Sequence, residues 1–453
     1  MLYYGIIVCQ PLAAPAKEVV ACVSALLNPI FSDGQTKTLM PVLVLNAGSS
    51  SVKFAVLREG FGESAGEEPV GSLRGSVTGI GSLARLEVRQ NGGAPSAQEC
   101  SIADHREALQ WLFERLESVP SERGSSLLSS VQVVGHRIVH GGDRFQAVRI
   151  DESVLAEIEQ LTELAPLHNP AGVAGVRAAQ AALGRQIPNV AVFDTAFHHG
   201  MPARAATYAI PLDLAARHRI RRYGFHGIAH ASLIAGYAAV TGRRIQDLRL
   251  VILHLGSGCS AAAIQGGRSI DTSMGFTPLE GLVMGTRSGD VDPAIVSYLV
   301  RRNGLDGEDV ERLLNERSGL LGLSGRSRDM SDLLVAAEQE GDARAARAID
   351  LFCYRARKYL GAYLAALGGA DAVIFGGGIG ENASAIRARI CEDMQWCGLS
   401  IDPDRNAAAV RLGAGKGARI SPDDATLPAY VIPADEESWI ARETARCLRE
   451  TSG

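Results

Sequence analysis

Residues 43–56 read LVLNAGSSSVKFAV, and residues 251–264 read VILHLGSGCSAAAI. Laid over one another without a gap, Val251 on Leu43, each gives an apolar run that ends in a polar residue, Asn46 or His254. A small-residue turn comes next, with Gly48 and Ser49 in one copy and Gly256 and Ser257 in the other, and then a second apolar run. Identical residues fall at Leu45/Leu253, Gly48/Gly256, Ser49/Ser257 and Ala55/Ala263. Runs of this length around such turns predict hairpins. Two hairpins of one design predict two related α/β domains, each presenting a small-residue turn to a shared cleft.

Turns of this kind suit an oxyanion, because backbone N–H groups and hydroxyls are not obstructed by bulky side chains. A single Gly-Ser cluster is an ordinary hairpin turn. Two in register, with a third glycine cluster downstream, favour phosphate. That third segment is DAVIFGGGIGENASAIRARI, residues 371–390: a β-prone run ending at Phe375, a glycine cluster, and a helical stretch expected to begin at Asn382. Free N–H groups near Gly378, Gly380 and Glu381 would border a nucleotide. Other nucleotide motifs fail. GAGKGA around Lys416 lacks the spacing and hydroxyl of a P-loop, and there is no H-R-D or D-F-G. The string GSGCSA, residues 256–261, fits a loose dinucleotide pattern, but the residues after it read equally as strand or helix. Asp271 stands too close to it to serve as the acidic ribose ligand of an NAD-dependent dehydrogenase.

The 453 residues allow two or three cooperating domains, and 46% hydrophobic with 21% charged residues is a globular composition. A formal charge of -5 argues against broad affinity for nucleic acid or anionic lipid, so any basic site must be local. Eight scattered cysteines with no C-x-x-C pair suggest reduced thiols in a cytoplasmic protein. No apolar run reaches the ~18 residues needed to span a bilayer. The apolar start, LYYGIIVCQPLAAPA, lacks a basic flank and is broken by Pro11 and Pro15, a poor signal peptide. Periodicity begins only at Met40, so residues 1–39 are expected to be an unpacked N-terminal extension.

Between the hairpins lie polar clusters in apolar surroundings: His136, Arg137 and His140; His168 and Asn169; Asp194, His198 and His199; Arg221, Arg222, His226 and His230; Arg287, Asp290 and Asp292. Any one of them alone is more often a satisfied structural residue. No spacing among them supports a zinc site. Histidines and arginines interleaved with Gly and Pro suit a site that must neutralise an anion.

NAGSSSVKF, GHRIVHGG, APLHNPAG, FDTAFH, RRYGFHG, HLGSG, PLEGLVMGTRSGDVDP, GGGIGEN and PADEESWIARET stand in the order and at about the separations seen in the acetate kinase family, over residues 40–453. The chain closely resembles that family. The resemblance implies the superfamily of acetate and sugar kinases, heat-shock chaperones and actin: duplicated actin-like (ribonuclease H-like) α/β domains around a central nucleotide cleft. Domain I would comprise residues 40–198 plus 435–453, with the C-terminal helix from Asp435 returning to it, and domain II residues 199–434. The implied reaction is reversible phosphoryl transfer from ATP to acetate, giving ADP and acetyl phosphate, with Mg²⁺ or Mn²⁺. A carboxylate with a pKa near 4.3 is already ionised at pH 7, so no general base is needed. The remaining task is to bring an anionic nucleophile up to an anionic phosphoryl group, which calls for fixed cations, a metal and in-line positioning.

Family roles fall on matching residues. Arg137 and Arg287 resemble the arginines that hold the substrate carboxylate and the moving phosphoryl group, guanidinium forking onto oxyanions. His226 resembles the histidine that stabilises the transition state, and Asp194 the catalytic acidic residue that orients substrate and metal. Ser49, Ser51 and Lys53 would serve the first phosphate turn, with His254, Gly256, Ser257 and Gly258 at the second. Asp329, Gly378, Gly380 and Asn382 would border the nucleotide. Asn46 and Glu436 match the metal site, Glu436 as a hard oxygen ligand. Val139, Leu167, Phe225 and Pro278 match the apolar pocket for the acetate methyl. A homodimer is implied by the family.

Two departures touch nucleotide contacts: Ser257 replaces the usual Asn of HLGNG, and Ser331 replaces an Arg two residues after Asp329. Arg326 or Arg328 could compensate. Three alternatives differ in what they require. A propionate or other short-chain carboxylate kinase needs only one more methylene of room. A nucleotide-switch protein of the same fold would need neither the paired arginines nor His226. A dehydrogenase would need an acidic ribose ligand about 20 residues after the glycine turn.

Overall fold

The computed structural model describes residues 40–48, 51–58, 72–90, 93–121, 125–166, 168–413 and 415–451. The expected extension 1–39, Ser49 and Leu167 lie outside the described residues.

The apolar run of the first repeat forms β1, Pro41–Ala47, and turns back as β2, Ser51–Arg58. Two further antiparallel strands and a fifth continue outward: β3 Leu73–Thr78, β4 Ser82–Gln90 and β5 Ser96–Ile102. On the other side of β1 lie β6 Val133–Ile138 and β8 Asn189–Phe193, both parallel to it, and then the two-residue β7 Val148–Arg149 at the edge. The order is β5-β4-β3-β2-β1-β6-β8-β7. Central strands covered on both faces need continuous apolar runs, and Val42, Leu43, Val44 and Leu45 are all buried.

The second repeat forms β9 Arg249–Leu255 and β10 Cys259–Gln265, with β11 Arg268–Thr272 after them. Beyond β9 come the parallel strands β12 Ala372–Gly376 and β14 Ala429–Val431, with β13 Ala418–Arg419 at the edge. The order is β11-β10-β9-β12-β14-β13. β3-β2-β1-β6-β8 and β11-β10-β9-β12-β14 are thus the same arrangement, an antiparallel pair of outer strands joined to three parallel ones. The duplicated α/β fold expected from the two hairpins is written in this strand order.

The gapless overlay needs one correction. Four positions, 48–51, separate Ala47 from its partner Val52, whereas three, 256–258, separate Leu255 from its partner Cys259. The second turn is one residue shorter, so β10 slips by one against β2 and the Ala55/Ala263 identity is not a structural equivalence. Ala55 pairs with Val44, and Ala262, not Ala263, pairs with Ile252 at the corresponding place. A one-residue slip moves a side chain to the other face of a strand.

One open alternative closes and one other expectation changes. β10 leaves the GSGCSA turn as a strand, which removes the helix that a dinucleotide fold requires. The helix after β12 begins at Gly377, not Asn382, and spans Gly377–Asn382 before a second helix, Ser384–Cys391. Gly377 has φ 75, and a Cβ there would meet Leu255 O at 2.7 Å, so the glycine lets this helix start against the end of β9.

Helices cover both sheets. Helix Glu436–Thr451 lies on β1, β6 and β8, burying Ile440 and Ala441 with Val42, Val44, Val190 and Val192. Gly135 permits this approach, since a Cβ there would collide with Thr444 and Ile440. On the second sheet, helix Ala343–Leu367 starts at Asp342, whose side chain accepts from Arg344 N and Ala345 N, and ends at Gly368 with φ 65. It buries Ile349, Phe352 and Leu360 in one cluster with Val251, Leu253 and Ala261. No helix among the described residues is long and apolar enough to cross a membrane.

Candidate active site

Parallel strands deliver their carboxyl ends to one edge of a sheet, where α/β folds bind ligands. In the first sheet that edge carries Asn46 near the end of β1, Arg137 near the end of β6, and Asp194 directly after β8. Arg137 Nε donates to Asp194 Oδ2 at 3.0 Å, and its Nη1 donates to Asn46 Oδ1 at 3.0 Å. Asn46 Nδ2 donates in turn to Glu436 Oε2 at 3.1 Å, at the start of the C-terminal helix. The four residues form one hydrogen-bonded chain: carboxylate, guanidinium, neutral amide, carboxylate.

Burial works against the Arg137 charge, but Asp194 and Glu436 outweigh it and hold its proton more tightly than usual. Burial pushes the Asp194 carboxyl up, against the pull of Arg137. It also pushes Glu436 up, yet Arg137, Lys53 and His254 together hold that carboxyl below its usual range. Lys53, opposite Asn46 on β2, has its ammonium stabilised by Glu437 and then Glu436. Asp194 Oδ1 is buried with no hydrogen-bond partner among the described residues.

His226 is held in the left-handed region, φ 57, immediately before helix Gly227–Thr241. Gly227 N donates to Asp194 O at 3.0 Å, which ties the His226 segment to the first sheet. The His226 ring lies 4.9 Å from the His254 ring, and a Cβ on Gly258 would lie 3.2 Å from His226 Nε2 and 2.9 Å from Arg287 Nη2. Arg287 Nη1 donates to Pro278 O at 2.7 Å. No carboxylate pairs with Arg287 among the described residues. Burial, with Arg137 adding, pushes its guanidinium down to about 10. Such a site gains by taking an anion. Burial pushes His254 down to about 4 and His226 well below its ordinary value, so both rings are neutral near pH 7.

The glycine cluster after β12 adjoins the second turn: a Cβ on Gly256 would lie 3.9 Å from Gly378 N. Gly378 is exposed with open space above it, and Gly380 is buried. Asn382 braces this helix, its Nδ2 donating to Gly378 O at 3.0 Å and its Oδ1 accepting from Arg411 N at 3.0 Å. Ser257 is exposed, and its carbonyl accepts from Gly285 N at 2.9 Å. Asp329 is exposed at the head of helix Met330–Gln339, its N–H donating to Ser327 Oγ at 3.1 Å. Ser331, two residues on, is also exposed. Ser51 sits across the first turn, its carbonyl accepting from Gly48 N at 2.8 Å. Val139 and Phe225 are buried in one apolar cluster, and Pro278 holds Arg287 through its carbonyl.

Several residues at the site carry no sequence signal of their own. His168, singled out only as part of a cluster, feels the charges of Arg287 and Arg137 after its own burial, and is pushed down to about 3. Glu381 Oε1 accepts from Gly377 N at 2.9 Å and Ala434 N at 3.0 Å, joining the glycine helix to the segment that leads into Glu436. Arg74, on the unremarkable strand β3, donates to Asp435 at 3.0 Å and Ser438 at 2.9 Å at the head of the same helix. His105 Nε2 donates to Gly48 O at 2.7 Å. Two of the other clustered histidines are structural: His136 bonds Asn189 Oδ1 at 2.7 Å, and His198 bonds Ser269 Oγ at 2.7 Å.

Residues 41–442 match the acetokinase family. The chain belongs to that family. It is 49% identical over 416 residues to the acetate kinase of Solibacter usitatus, covering 90% of this chain and 98% of that protein. The crystal structure of Porphyromonas gingivalis acetate kinase is 38% identical with a TM-score of 0.77, covering 90% of this chain and 100% of that one. A propionate kinase from Francisella tularensis is 36% identical with a TM-score of 0.79, covering 90% and 99%. Acetokinase-family membership accounts for the order of the nine motifs and for the duplicated fold.

Proposed function

We propose that this chain catalyses the reversible transfer of the terminal phosphoryl group of ATP to acetate, by direct in-line attack of the carboxylate. The observation that carries this reading is the pair Arg287 and His226 at the Gly258 turn, one uncompensated guanidinium and one neutral imidazole, beside a glycine helix suited to polyphosphate. Arg137 is anchored by Asp194 and Asn46 through three of its five N–H groups, so the remaining two would orient the substrate carboxylate while Arg287 tracks charge on the moving phosphoryl group. Val139, Phe225 and Pro278 would receive the methyl group, with Leu167 alongside. Ser51, Lys53, His254, Gly256, Ser257, Gly258, Asp329, Gly378, Gly380 and Asn382 would border the nucleotide, together with Ser49. Residues 40–198 with 435–453 and residues 199–434 would act as two domains closing on it.

The donor set fits Mg²⁺, or Mn²⁺ in its place. Glu436 is held ionised, and Asn46 Oδ1 keeps a lone pair beyond the one Arg137 takes. Asp194 Oδ1 is a buried oxygen without a partner among the described residues. Mg²⁺ binds through one or two carboxylates and keeps water and phosphate oxygens for the rest, and no three-residue cage is present among the described residues. Bound there, the ion would neutralise phosphate charge. Cytoplasmic location and a homodimer are part of the same reading.

Phosphate release is not the readout to use, because it does not distinguish the acceptor. Acyl phosphate formed from acetate, propionate and butyrate, trapped with hydroxylamine and compared side by side, does. Acetate should give the highest kcat/KM, and no acyl phosphate from any of the three would refute the reading. The propionate kinase likeness supports a second reading, propionate as preferred acceptor, since one methylene in an apolar pocket discriminates by only ~1 to 3 kcal/mol.

A further inference from the structure

Ser260 lies on β10 behind the second turn, fully buried. Its hydroxyl touches two imidazoles, His226 Nδ1 at 3.0 Å and His230 Nε2 at 2.8 Å. The other nitrogen of His226, Nε2, faces the Gly258 turn beside Arg287 and has no hydrogen-bond partner among the described residues. The other nitrogen of His230, Nδ1, is buried without a partner among them.

A hydroxyl carries one proton, and a neutral imidazole carries one N–H. Burial lowers both histidines well below their ordinary value, so each ring has one proton to place. If both rings donated to Ser260, its own proton would be buried with no acceptor. If His226 Nδ1–H donated and Ser260 passed its proton to His230 Nε2, then His230 Nδ1–H would be a buried orphan donor. If neither ring donated, the single Ser260 proton would serve only one of two facing lone pairs, and His230 Nδ1–H would again be a buried orphan donor. In the fourth arrangement Ser260 donates to His226 Nδ1 and accepts from His230 Nε2–H. That leaves only a bare lone pair on His230 Nδ1, and orphaned acceptors are tolerated better than orphaned N–H groups.

We infer that Ser260 is a positioning residue that fixes His226 as the neutral Nε2–H tautomer, so that this ring presents a hydrogen-bond donor, not a lone pair, to an oxyanion at the Gly258 turn. The last step rests on the phosphoryl-transfer reading above; the tautomer does not. His230 is the second member of the relay, and its proton keeps the Ser260 hydroxyl turned toward His226. The opposite tautomer would aim a lone pair at phosphoryl oxygens beside Arg287 and oppose binding there.

The full chain, labelled with ¹⁵N-histidine and free of substrate, tests this by long-range ¹H–¹⁵N correlation, with His226 signals identified by their loss in His226→Gln. The expected result is a proton on Nε2 of His226, and a proton on Nδ1 overturns the inference whatever the activity proves to be. Ser260→Ala should erode the tautomer preference and lower kcat about 10- to 100-fold, the usual loss when an orienting partner is removed. KM for acetate should move less than about twofold. Ser260→Thr, which keeps the hydroxyl, should restore both tautomer and kcat. A folded Ser260→Ala protein with its tautomer lost and its kcat intact would overturn the positioning role. If Ser260→Ala does not fold, the wild-type spectrum decides the assignment and Ser260→Thr the role. The expected tautomer in a chain that phosphorylates no carboxylate would leave the relay standing and refute the proposed function alone.

Discussion

Arg137 on β6 and Asp194 beyond β8 form a buried ion pair, Nε to Oδ2 at 3.0 Å, with side chains only 14% and 1% exposed. Removing one partner of such a pair strands a buried charge, at a cost of roughly 3 to 5 kcal/mol. Asp194→Ala should therefore lower stability by about that amount in urea unfolding and abolish turnover. Asp194→Asn keeps the shape and one acceptor oxygen, so it should lose less stability while activity falls comparably. Equal activity in Asp194→Asn and wild type would remove the charge from the mechanism.

Gly258 separates the second turn from the two groups assigned to the phosphoryl oxygens. A Cβ there would lie 2.9 Å from Arg287 Nη2 and 3.1 Å from His226 Cε1, so Gly258→Ala must displace one of them. Its backbone needs no left-handed conformation, so the fold should survive. Displacement by about 1 Å can cost on the order of 100-fold in rate, and kcat should fall by about that factor with little change in melting temperature.

The departures at Ser257 and Ser331 leave two arginines as candidate substitutes, and their surroundings separate them. Arg326 is engaged by both oxygens of Glu340, at 2.5 and 2.9 Å. Arg328 is exposed, and its carbonyl and Cβ lie 3.3 and 3.5 Å from where a Gly285 Cβ would stand, next to the carbonyl of Ser257. Arg328→Ala should raise KM for ATP about tenfold, the worth of one charge-assisted hydrogen bond, while Arg326→Ala should leave it nearly unchanged. Steady-state kinetics with ATP varied at saturating acetate checks the pair.

Stability should fall steeply on mild acidification. His136, His140, His198 and His254 are pushed down to about 4 by burial. Below the unfolded value of about 6.5 the unfolded chain takes up protons that the folded chain refuses, so stability rises with pH up to about 6.5 and is lost as pH falls toward 4. At pH 5 each such histidine costs about 2 kcal/mol. Urea unfolding at pH 7, 6 and 5 should show a clear decline between 6 and 5. A flat profile would mean that these rings take up protons in the folded chain as readily as in the unfolded one, so that burial does not hold them neutral.

The duplication is legible because a hairpin needs turn chemistry and apolar runs, and both are local. The register of β10 is not, because turn length is set by hydrogen bonding across strands, and a gapless match conceals a missing residue. Gly377 reads as linker because glycine weakens a helix in isolation; here its φ of 75 and its approach to Leu255 O make it the starting point. Arg137, His226 and Arg287 stand among glycines and are conspicuous for it. Arg74 in LRGSVT and Ser260 in an alanine-rich strand look like ordinary strand residues, since only tertiary contact brings them to Asp435 and His226. Glu381 is visible only as part of a motif, and the strap it makes to Ala434 crosses a long stretch of chain.

The central claim is that a fixed, uncompensated guanidinium carries charge on the phosphoryl group as it passes to a carboxylate, and Arg287→Ala measures it directly. By comparison with transition-state arginines in phosphoryl transfer, kcat for acetyl phosphate formation should fall by about 10³ to 10⁵ while the protein remains folded. Turnover within a few-fold of the wild type would contradict the account.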